Sequence, residues 1–117
     1  MDGTDVSGEV EPPANPLVVP QMCLRFGDTS NVGITGRHLT SFIMGGQHAF
    51  NSEDKEVYWK DECLDMNFEF LTSKLGIPKE EITAVESVWS GGGNFGPCVE
   101  YLCRGLEITN QVFMQYR

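Results

Sequence analysis

A glycine-rich stretch is the feature that most constrains the fold of this chain. It runs from Trp89 to Pro97 as Trp-Ser-Gly-Gly-Gly-Asn-Phe-Gly-Pro. Neither helix nor strand propensity accounts for three successive glycines, since glycine is unfavourable inside both kinds of element. The stretch predicts a loop, held between two strands, in which the backbone can approach a neighbouring group closely. Glycine content alone favours a plainer alternative, an ordinary loop between two strands.

The composition excludes several functional classes. The chain has 117 residues, which suits a single domain, and 17 acidic against 8 basic residues give a net charge of -9. Nucleic-acid affinity needs clustered lysine and arginine, which argues against a stand-alone nucleic-acid binder. No apolar run approaches the roughly 18–20 residues that span a bilayer, and the acidic N-terminus is unlike a signal peptide. We therefore expect a soluble, cytoplasmic protein without a membrane partner.

The cysteines indicate reduced thiols rather than disulfides or a metal site. No C-x-x-C pair occurs, and nothing in the sequence suggests export to a compartment where disulfides form. Neither His38 nor His48 supplies a close pair of zinc ligands, so we expect no metal site at these residues. The cysteines concerned are Cys23, Cys63, Cys98 and Cys103.

The N-terminal segment differs in composition from the rest of the chain. Residues 1–15 are acidic, contain glycine and proline, and show no hydrophobic periodicity. Such a segment is predicted to be flexible, because it cannot bury enough apolar surface to offset its conformational entropy. We therefore place the folded domain at residues 16–117.

A first strand is predicted at residues 17–26, followed by turn-forming residues 27–36. An arginine on the polar side of this strand, Arg25, is suited to bind a carboxylate or a phosphate. The strand alone favours the simpler interpretation, in which Arg25 faces solvent. Alternation places Val18, Met22, Leu24 and Phe26 on a core face, and Gln21, Cys23 and Arg25 on the other.

A second strand is predicted at residues 39–50, which forms a hairpin with the first. Gly45-Gly46 predicts a bulge or a close backbone approach within it. The connecting loop is longer than the about 2–5 residues of ordinary hairpins. We interpret the loop as functional, because Arg37 and His38 lie at its far end. Thr40, Phe42, Met44 and His48 share one face of this strand.

One substantial helix is predicted from Ser52 to Leu75, with Ser52 as its N-cap and Gly76 as its C-cap. Two adjacent apolar stripes at helical spacing predict that the helix is covered on two sides. The stripes are Trp59, Cys63, Met66 and Phe70, and Val57, Leu64, Phe68, Leu71 and Leu75.

Three more strands are predicted, at residues 82–88, 98–103 and 106–116. In the last strand Asn110 alternates in step with three apolar residues on a face expected to point inward. A buried amide without a partner costs about 1–3 kcal/mol. Asn110 therefore needs a backbone group, which is the commoner case, or a small polar ligand. The three apolar residues are Ile108, Val112 and Met114.

Two long motifs occur in a fixed order along the chain. The first is Gln21-x-Cys23-x-Arg25 followed by Asn31-Val32-Gly33-x-Thr35-Gly36-Arg37-His38-x-Thr40-x-Phe42-x-Met44. The second is Trp89-x-Gly91-Gly92-Gly93-Asn94-x-Gly96-Pro97-Cys98-x-Glu100, followed by Gly105-Leu106-Glu107 and Val112-Phe113-Met114-Gln115-Tyr116. Together they closely resemble the alanyl-tRNA synthetases in their archaeal form, the first being motif 2 of that class II family. The resemblance extends from about residue 15 to the last residue.

The resemblance implies a fold and a set of functional residues. The fold class is α+β, an antiparallel sheet with a flanking helix, and residues 16–117 form a partial class II synthetase catalytic domain. The family activates alanine with ATP, together with Mg2+, and transfers it to tRNA. Arg25 is implied as the catalytic residue that contacts the α-phosphate. The implied ATP-binding residues are Arg25, Arg37, His38, Phe42 and Met44, and the implied alanine-binding residues are Trp89, Gly96 and Asn110.

The chain also departs from the family pattern. It stops before motif 3, so it lacks the second ATP-binding arginine and the acidic residue expected to hold the alanine ammonium group. We therefore expect an alanine–tRNA ligase-type fragment that is incomplete alone and charges tRNA poorly. The alternative is a non-catalytic synthetase paralogue that binds a nucleotide or a partner protein. An incomplete sheet leaves an edge strand unpaired, which predicts a partner chain or self-association.

Overall fold

A computed structural model describes residues 11–116 of the chain. Antiparallel strands and one main helix confirm the predicted α+β class. The chain divides into two compact units, of which the first ends at Val57 and the second begins at Tyr58. Most of the predicted flexible segment, residues 1–15, lies outside the described residues. Asn15, the last residue of that segment, makes two hydrogen bonds with the main chain of Phe50. The Asn15 Nδ2 donates to the Phe50 carbonyl at 2.7 Å, and the Asn15 Oδ1 accepts from the Phe50 amide at 3.0 Å.

The first unit contains the predicted hairpin with its long loop. Strand β1 (Leu17–Leu24) pairs antiparallel with strand β2 (Ser41–His48), and a 3-10 turn at Thr29–Asn31 lies in the loop between them. The amide of Arg25 donates to the carbonyl of Thr40 at 2.9 Å, so the pairing continues one residue beyond β1. The long connection is therefore the closed end of a regular two-stranded ribbon.

The predicted bulge at Gly45-Gly46 is wrong. The pairing runs without interruption through both glycines, with Pro20 opposite Gly45 and Val19 opposite Gly46. The other half of that prediction, a close approach, is confirmed at Gly46. A Cβ there would lie 2.6 Å from Nε2 of His48 and 3.3 Å from the carbonyl oxygen of Val19.

The predicted core face of the hairpin is exposed, so that prediction is wrong. Val18 is 79% exposed and Met22 is 84% exposed, whereas Cys23 and Phe42 on the opposite face are half-buried. An isolated two-stranded ribbon buries little on either face, because a third strand or a packed helix is needed to cover it. The alternation was predicted correctly and the buried side was not. Leu24 and Phe26, the other members of the predicted core face, are exposed as well.

The second unit is a three-stranded antiparallel sheet with one helix. The helix, α1 (Lys60–Glu69), continues into a π-helical turn at Phe70–Lys74. After a 3-10 turn at Lys79–Glu81, the strands follow as β3 (Ile82–Gly91), β4 (Asn94–Cys103) and β5 (Leu106–Val112), in the spatial order β3-β4-β5. Each strand neighbours the next in sequence, so the sheet is a simple meander.

Most of the predicted glycine loop is paired strand. The pairing of β3 with β4 extends to Gly91 opposite Asn94, and only Gly92 and Gly93 lie between the strands. Both have positive φ angles, 59° and 83°. A two-residue turn with two positive φ angles matches the right-handed twist of the strands, and glycine adopts it without steric cost.

The predicted helix start at Ser52 is wrong, because the helix begins at Lys60. Ser52 instead belongs to a local turn in which its amide donates to the carbonyl of Lys55 at 2.9 Å. The Glu62 side chain accepts a hydrogen bond from the amide of Trp59 at 3.0 Å and so caps the first turn. The predicted end is confirmed. Gly76 has a φ of 75°, which leads the chain away from the helix as a C-cap glycine does.

The helix packs on the sheet with one side rather than two. The ring of Phe68 lies edge-on to that of Tyr101 at 6.0 Å, and the Tyr101 hydroxyl donates to the carbonyl of Leu64 at 3.1 Å. Leu71 is only 2% exposed, while Phe70 beside it is 50% exposed. The predicted cover on both sides is therefore wrong in this unit, because Met66 and Phe70, of the stripe that begins at Trp59, are exposed.

The predicted inward face of the last strand is also wrong. Gln111 and Phe113 are each 4% exposed, whereas Asn110 is exposed. Side chains of a strand alternate between its two faces, so an error of one position exchanges the buried and open sets. Among residues 11–116, the buried amide without a complete set of partners is that of Gln111. Its Nε2 donates to Oγ1 of Thr109 at 2.6 Å, and its Oε1 has no partner.

The buried phenol of Tyr101 makes the unit sensitive to alkaline pH. Burial raises the pKa of Tyr101 above its usual 10.0, and the charges of Asp65 and Cys63 raise it further. Because the folded-state pKa exceeds the unfolded one, the phenol contributes stability below the unfolded pKa. That contribution is lost as the pH rises through the folded-state pKa.

We expect Tyr101→Phe to reduce the loss of stability between about pH 8 and about pH 11, measured as the midpoint of urea unfolding. The variant also loses the hydrogen bond to Leu64, so at the lower pH it should be less stable by about 1 kcal/mol. The matched control is Tyr116→Phe, since Tyr116 is 54% exposed. An alkaline loss in Tyr101→Phe as steep as in the control would contradict the assignment.

Candidate functional site

One face of the hairpin carries the predicted catalytic arginine and two predicted ATP-binding residues. Cys23 lies opposite Phe42 and Gln21 lies opposite Met44 in the register. Arg25 is two residues beyond Cys23, so alternation places Arg25, Phe42 and Met44 on the same side of the ribbon. We call this side the arginine face, defined by Arg25, Phe42 and Met44.

The chemistry of the arginine face suits a nucleotide. The Arg25 side chain is exposed and presents a planar fork of donors, which matches the oxygens of a phosphate group. Phe42 is half-buried and offers an aromatic surface on which a base can stack. Met44 is 51% exposed, and its flexible thioether can pack against the edge of such a ring.

The predicted ATP-binding residues Arg37 and His38 lie in the hairpin loop, held by a local turn. The hydroxyl of Thr35 accepts a hydrogen bond from the Arg37 amide at 3.1 Å and lies 2.7 Å from Nδ1 of His38. This pair of contacts orients the imidazole through Nδ1 and leaves the Arg37 guanidinium exposed. The contacts of Arg37 and His38 with ATP stay predictions.

The three predicted alanine-binding residues lie on one face of the sheet. Trp89 is directly opposite Gly96, and Asn110 is directly opposite Glu100. Gly96 and Glu100 are four residues apart on β4, so alternation puts both pairs on the same side. The contacts of α1 involve Tyr101, on the opposite side. We call the side with Trp89, Gly96, Cys98, Glu100 and Asn110 the helix-free face.

The groups on the helix-free face differ in exposure and in contacts. Trp89 is 38% exposed, and its ring lies over Gly91, where an added Cβ would be 2.5 Å from the indole. Asn110 is exposed, and its side chain makes no hydrogen bond within residues 11–116. Cys98 is a free thiol that is 2% exposed. The face therefore combines an aromatic ring, a small buried residue and an amide that is free to bind a ligand.

The backbone that approaches Gly96 belongs to this chain. A Cβ at Gly96 would overlap the carbonyl oxygen of Phe113 and lie 3.2 Å from the amide nitrogen of Gln115. The approach arises because the chain leaves β5 after Val112 and then pairs again, with Phe95 opposite Tyr116. The predicted contact of Gly96 with alanine stays a prediction, since the close neighbour in the structure is main chain.

Two clefts of the second unit lie mainly outside the predicted site. The larger, of 560 Å³, opens between α1 and the sheet and contains none of Trp89, Gly96 and Asn110. The smaller, of 290 Å³, includes Gly96 in its wall. We place one candidate site on the arginine face of the first unit and another on the helix-free face of the second, because each face holds polar and aromatic groups suited to a ligand. The larger cleft is lined by Lys60, Asp61, Leu64, Glu86, Ser87, Val88, Pro97, Cys98, Val99 and Phe113.

The described part of the chain offers neither a cluster of metal ligands nor a membrane-spanning helix. Between residues 11 and 116, histidine, cysteine, aspartate and glutamate side chains form no group that could hold a metal ion. The same residues contain no helix long and apolar enough to cross a bilayer.

Sequence comparisons connect the chain to proteins of known activity. The family described as tRNA synthetases class II (A) matches residues 4–117. The chain is 61% identical over 111 residues to the alanine–tRNA ligase of Methanocella arvoryzae, a match that covers 95% of this chain and 13% of that protein. It is 59% identical over 111 residues to the alanine–tRNA ligase of Methanothermobacter thermautotrophicus, covering 95% of this chain and 12% of that protein.

A third relative gives the same result. The alanine–tRNA ligase of Cenarchaeum symbiosum is 59% identical over 105 residues, which are 90% of this chain and 12% of that protein. The chain thus spans about an eighth of the length of the relatives it matches, from 12% to 13%. The resemblance inferred from the two motifs is confirmed.

Proposed function

The chain belongs to the class II tRNA synthetase family, and we propose that it is a catalytic-domain fragment of the alanine–tRNA ligase type. In the full-length protein it would take part in activating alanine with ATP and transferring it to tRNA(Ala) in the cytoplasm. The observation that carries this proposal is the hairpin register, which supports a nucleotide site by placing Arg25, Phe42 and Met44 on one face. The high identity to alanine–tRNA ligases supports the choice of substrate.

Each group of the arginine face would have a distinct role towards ATP. The Arg25 guanidinium would donate to the α-phosphate and balance the negative charge that builds up when the alanine carboxylate attacks that phosphorus. Phe42 would stack on the adenine ring, with Met44 packed beside it. Arg37 and His38 would complete the nucleotide contacts from the loop. Mg2+ would enter bound to the phosphates of ATP, as it does in many nucleotide sites.

The helix-free face would bind the amino acid. Asn110 presents an amide with both donor and acceptor atoms, and Trp89 supplies an aromatic wall suited to a small side chain. Gly96 lies opposite Trp89 and permits a tight main-chain crossing there. A small, rigid pocket closed by such groups in the full-length protein would distinguish alanine from larger amino acids by excluding additional methylene groups.

A second candidate function is a non-catalytic paralogue that binds a nucleotide or a partner protein. One observation favours it. Strand β3 is an edge strand of ten residues that, within the described part of the chain, pairs with β4 alone, and its residues from Thr83 to Ser90 are exposed. Glu86 is its one charged residue, so little prevents another strand from pairing with it. A partner chain or a second copy of this chain would add its strand to β3.

The experiment that tests the proposal is calorimetric titration of a non-hydrolysable alanyl-adenylate analogue into the 117-residue chain. We expect saturable binding that Arg25→Ala weakens about tenfold or more, since a charge-assisted hydrogen bond is lost. Asn110→Ala should weaken binding too.

Arg104→Ala is the matched control for the loss of one positive charge. Arg104 lies on the turn after β4, where it pairs with Glu81 at 2.8 Å and is 77% exposed. If the Arg25→Ala and Arg104→Ala variants bind the analogue with equal affinity, the assigned role of Arg25 is contradicted. A folded wild-type chain that binds a second polypeptide but no adenylate analogue would favour the paralogue.

A further inference from the structure

The far end of the hairpin loop folds into a tight turn. The amide of Thr35 donates to the carbonyl of Asn31 at 3.3 Å, and Gly36 has a φ of 70°, which turns the chain back on itself. The Thr35 hydroxyl can therefore accept a hydrogen bond from the Arg37 amide, two residues ahead, at 3.1 Å. This turn holds the hydroxyl in a fixed position beside His38.

The Thr35 hydroxyl has one proton to donate, and the ring of His38 is its neighbour. Nδ1 of His38 lies 2.7 Å from Oγ1 of Thr35, a normal distance for a hydrogen bond. A neutral imidazole carries its proton on one ring nitrogen and accepts at the other. When the hydroxyl donates to Nδ1, the ring proton lies on Nε2. The reverse tautomer would donate from Nδ1 and leave the hydroxyl proton without this partner, so the contact favours the tautomer with Nε2–H.

The tautomer decides what His38 offers to a ligand. An Nε2–H group donates to an anionic oxygen, whereas an unprotonated Nε2 presents a lone pair that repels it. The guanidinium of Arg37, the preceding residue, is exposed and has planar donors that suit a phosphate group. With the proton on Nε2, both side chains are donors, and together they suit phosphate oxygens.

We propose that Thr35 is a positioning residue for the nucleotide, because its hydroxyl keeps His38 in the Nε2–H tautomer. The proposal rests on the proposed function, which assigns Arg37 and His38 to ATP. Thr35 acts through the imidazole, whose orientation and donor atom it sets. The phosphates of the nucleotide therefore meet a ring N–H donor instead of a lone pair.

Nitrogen NMR of the intact, isotope-labelled chain tests the tautomer directly, since protonated and unprotonated ring nitrogens have well-separated shifts. The chain has 2 histidines, so a His48→Gln variant identifies the signals of His38. At about pH 9, above the usual range of imidazole pKa values, we expect the Nε2–H form in the wild-type chain. Thr35→Val should change the ratio of the two tautomers by about twofold to tenfold, the size of one hydrogen bond, whereas Thr35→Ser should keep the wild-type ratio.

Thr29→Val is the matched control, because it removes a hydroxyl from the same loop. That hydroxyl donates to the carbonyl of Phe26 at 3.1 Å, so its loss should leave the tautomer of His38 unchanged. An unchanged signal from His48, in β2, reports that the hairpin of each variant is folded. A folded Thr35→Val chain with the wild-type tautomer ratio would overturn the proposal.

Calorimetric titration of ATP with Mg2+ tests the consequence for binding. We expect Thr35→Val to weaken binding by about twofold to tenfold, with Thr35→Ser and Thr29→Val close to wild type. A shifted tautomer with unchanged affinity would overturn the role of Thr35 towards the nucleotide and leave the proposed function standing. A wild-type chain that does not bind ATP would contradict the nucleotide site of the proposed function and, with it, this role of Thr35.

Discussion

Replacing Leu71 by alanine is expected to lower the free energy of unfolding of the second unit by about 2–5 kcal/mol. Leu71 is 2% exposed and lies in the π-helical turn that extends α1. Its carbonyl oxygen accepts the amide of Ile77 at 3.0 Å, so this segment also ends the helix. Truncation of the Leu71 side chain removes apolar contacts and leaves a cavity. A unit of this size is only marginally stable, so the loss is a large part of its free energy of unfolding.

Urea unfolding followed by tryptophan fluorescence would measure the effect, because Trp59 and Trp89 both lie in the second unit. Leu75→Ala is the matched control, since Leu75 follows by four residues and is 57% exposed. It should change the free energy of unfolding by no more than about 0.5 kcal/mol. Equal effects of the two substitutions would show that the end of the helix is not packed on the sheet.

Replacing Gly96 by alanine is expected to destabilise the same unit by about 1–3 kcal/mol, the range for overpacking a tight site. The added methyl group would overlap the carbonyl oxygen of Phe113 and lie 2.8 Å from its carbonyl carbon. These are main-chain atoms, which cannot rotate away as a side chain can. The overlap can be relieved only if the segment after β5 moves. This segment is held by the antiparallel bridge between Tyr116 and Phe95.

The matched control for Gly96→Ala is Gly45→Ala. Gly45 is also in the middle of a strand, but an added Cβ there meets nothing within 4 Å. Its substitution should be neutral or slightly stabilising, because alanine reduces the entropy of the unfolded chain. Thermal unfolding of the two variants measures the contrast. A Gly96→Ala chain as stable as wild type would mean that the crossing over Gly96 is not closed in solution.

The sequence predicted local structure well where chain geometry decides it. Alternation and turn residues located the hairpin of β1 and β2, and the strands β3 to β5. Gly76 was predicted as the helix end because a positive φ at that position is strongly favoured by glycine. The shared faces of Arg25 with Phe42, and of Trp89 with Asn110, follow from register once the strands pair.

The sequence could not predict which face of a strand is buried, because that depends on what packs against it. Met22 and Leu24 alternate like core residues and are exposed, while Gln111 is polar and buried. The start of α1 was missed for a related reason. Ser52 is a good N-cap by composition, but the residues after it close a separate turn, and Glu62 caps the helix at Trp59.

The cross-strand neighbours of Glu100 could not be predicted, because they depend on the pairing between strands. In the sequence Glu100 belongs to the second motif, ten residues before Asn110. Only the register places the two residues directly opposite each other. Cross-strand neighbours become identifiable when the pairing is known.

The turns of the second unit determine how the sheet assembles. Gly92-Gly93 joins β3 to β4, and Arg104-Gly105, with φ angles of 52° and 80°, joins β4 to β5. Consecutive strands are therefore joined by turns of two residues, so the entropy lost on loop closure is small and the contact order is low. Folding of such a meander can start at either turn, after which the strand pairing extends residue by residue away from that turn. The surface that presents Trp89 and Asn110 thus forms from a short, continuous length of chain.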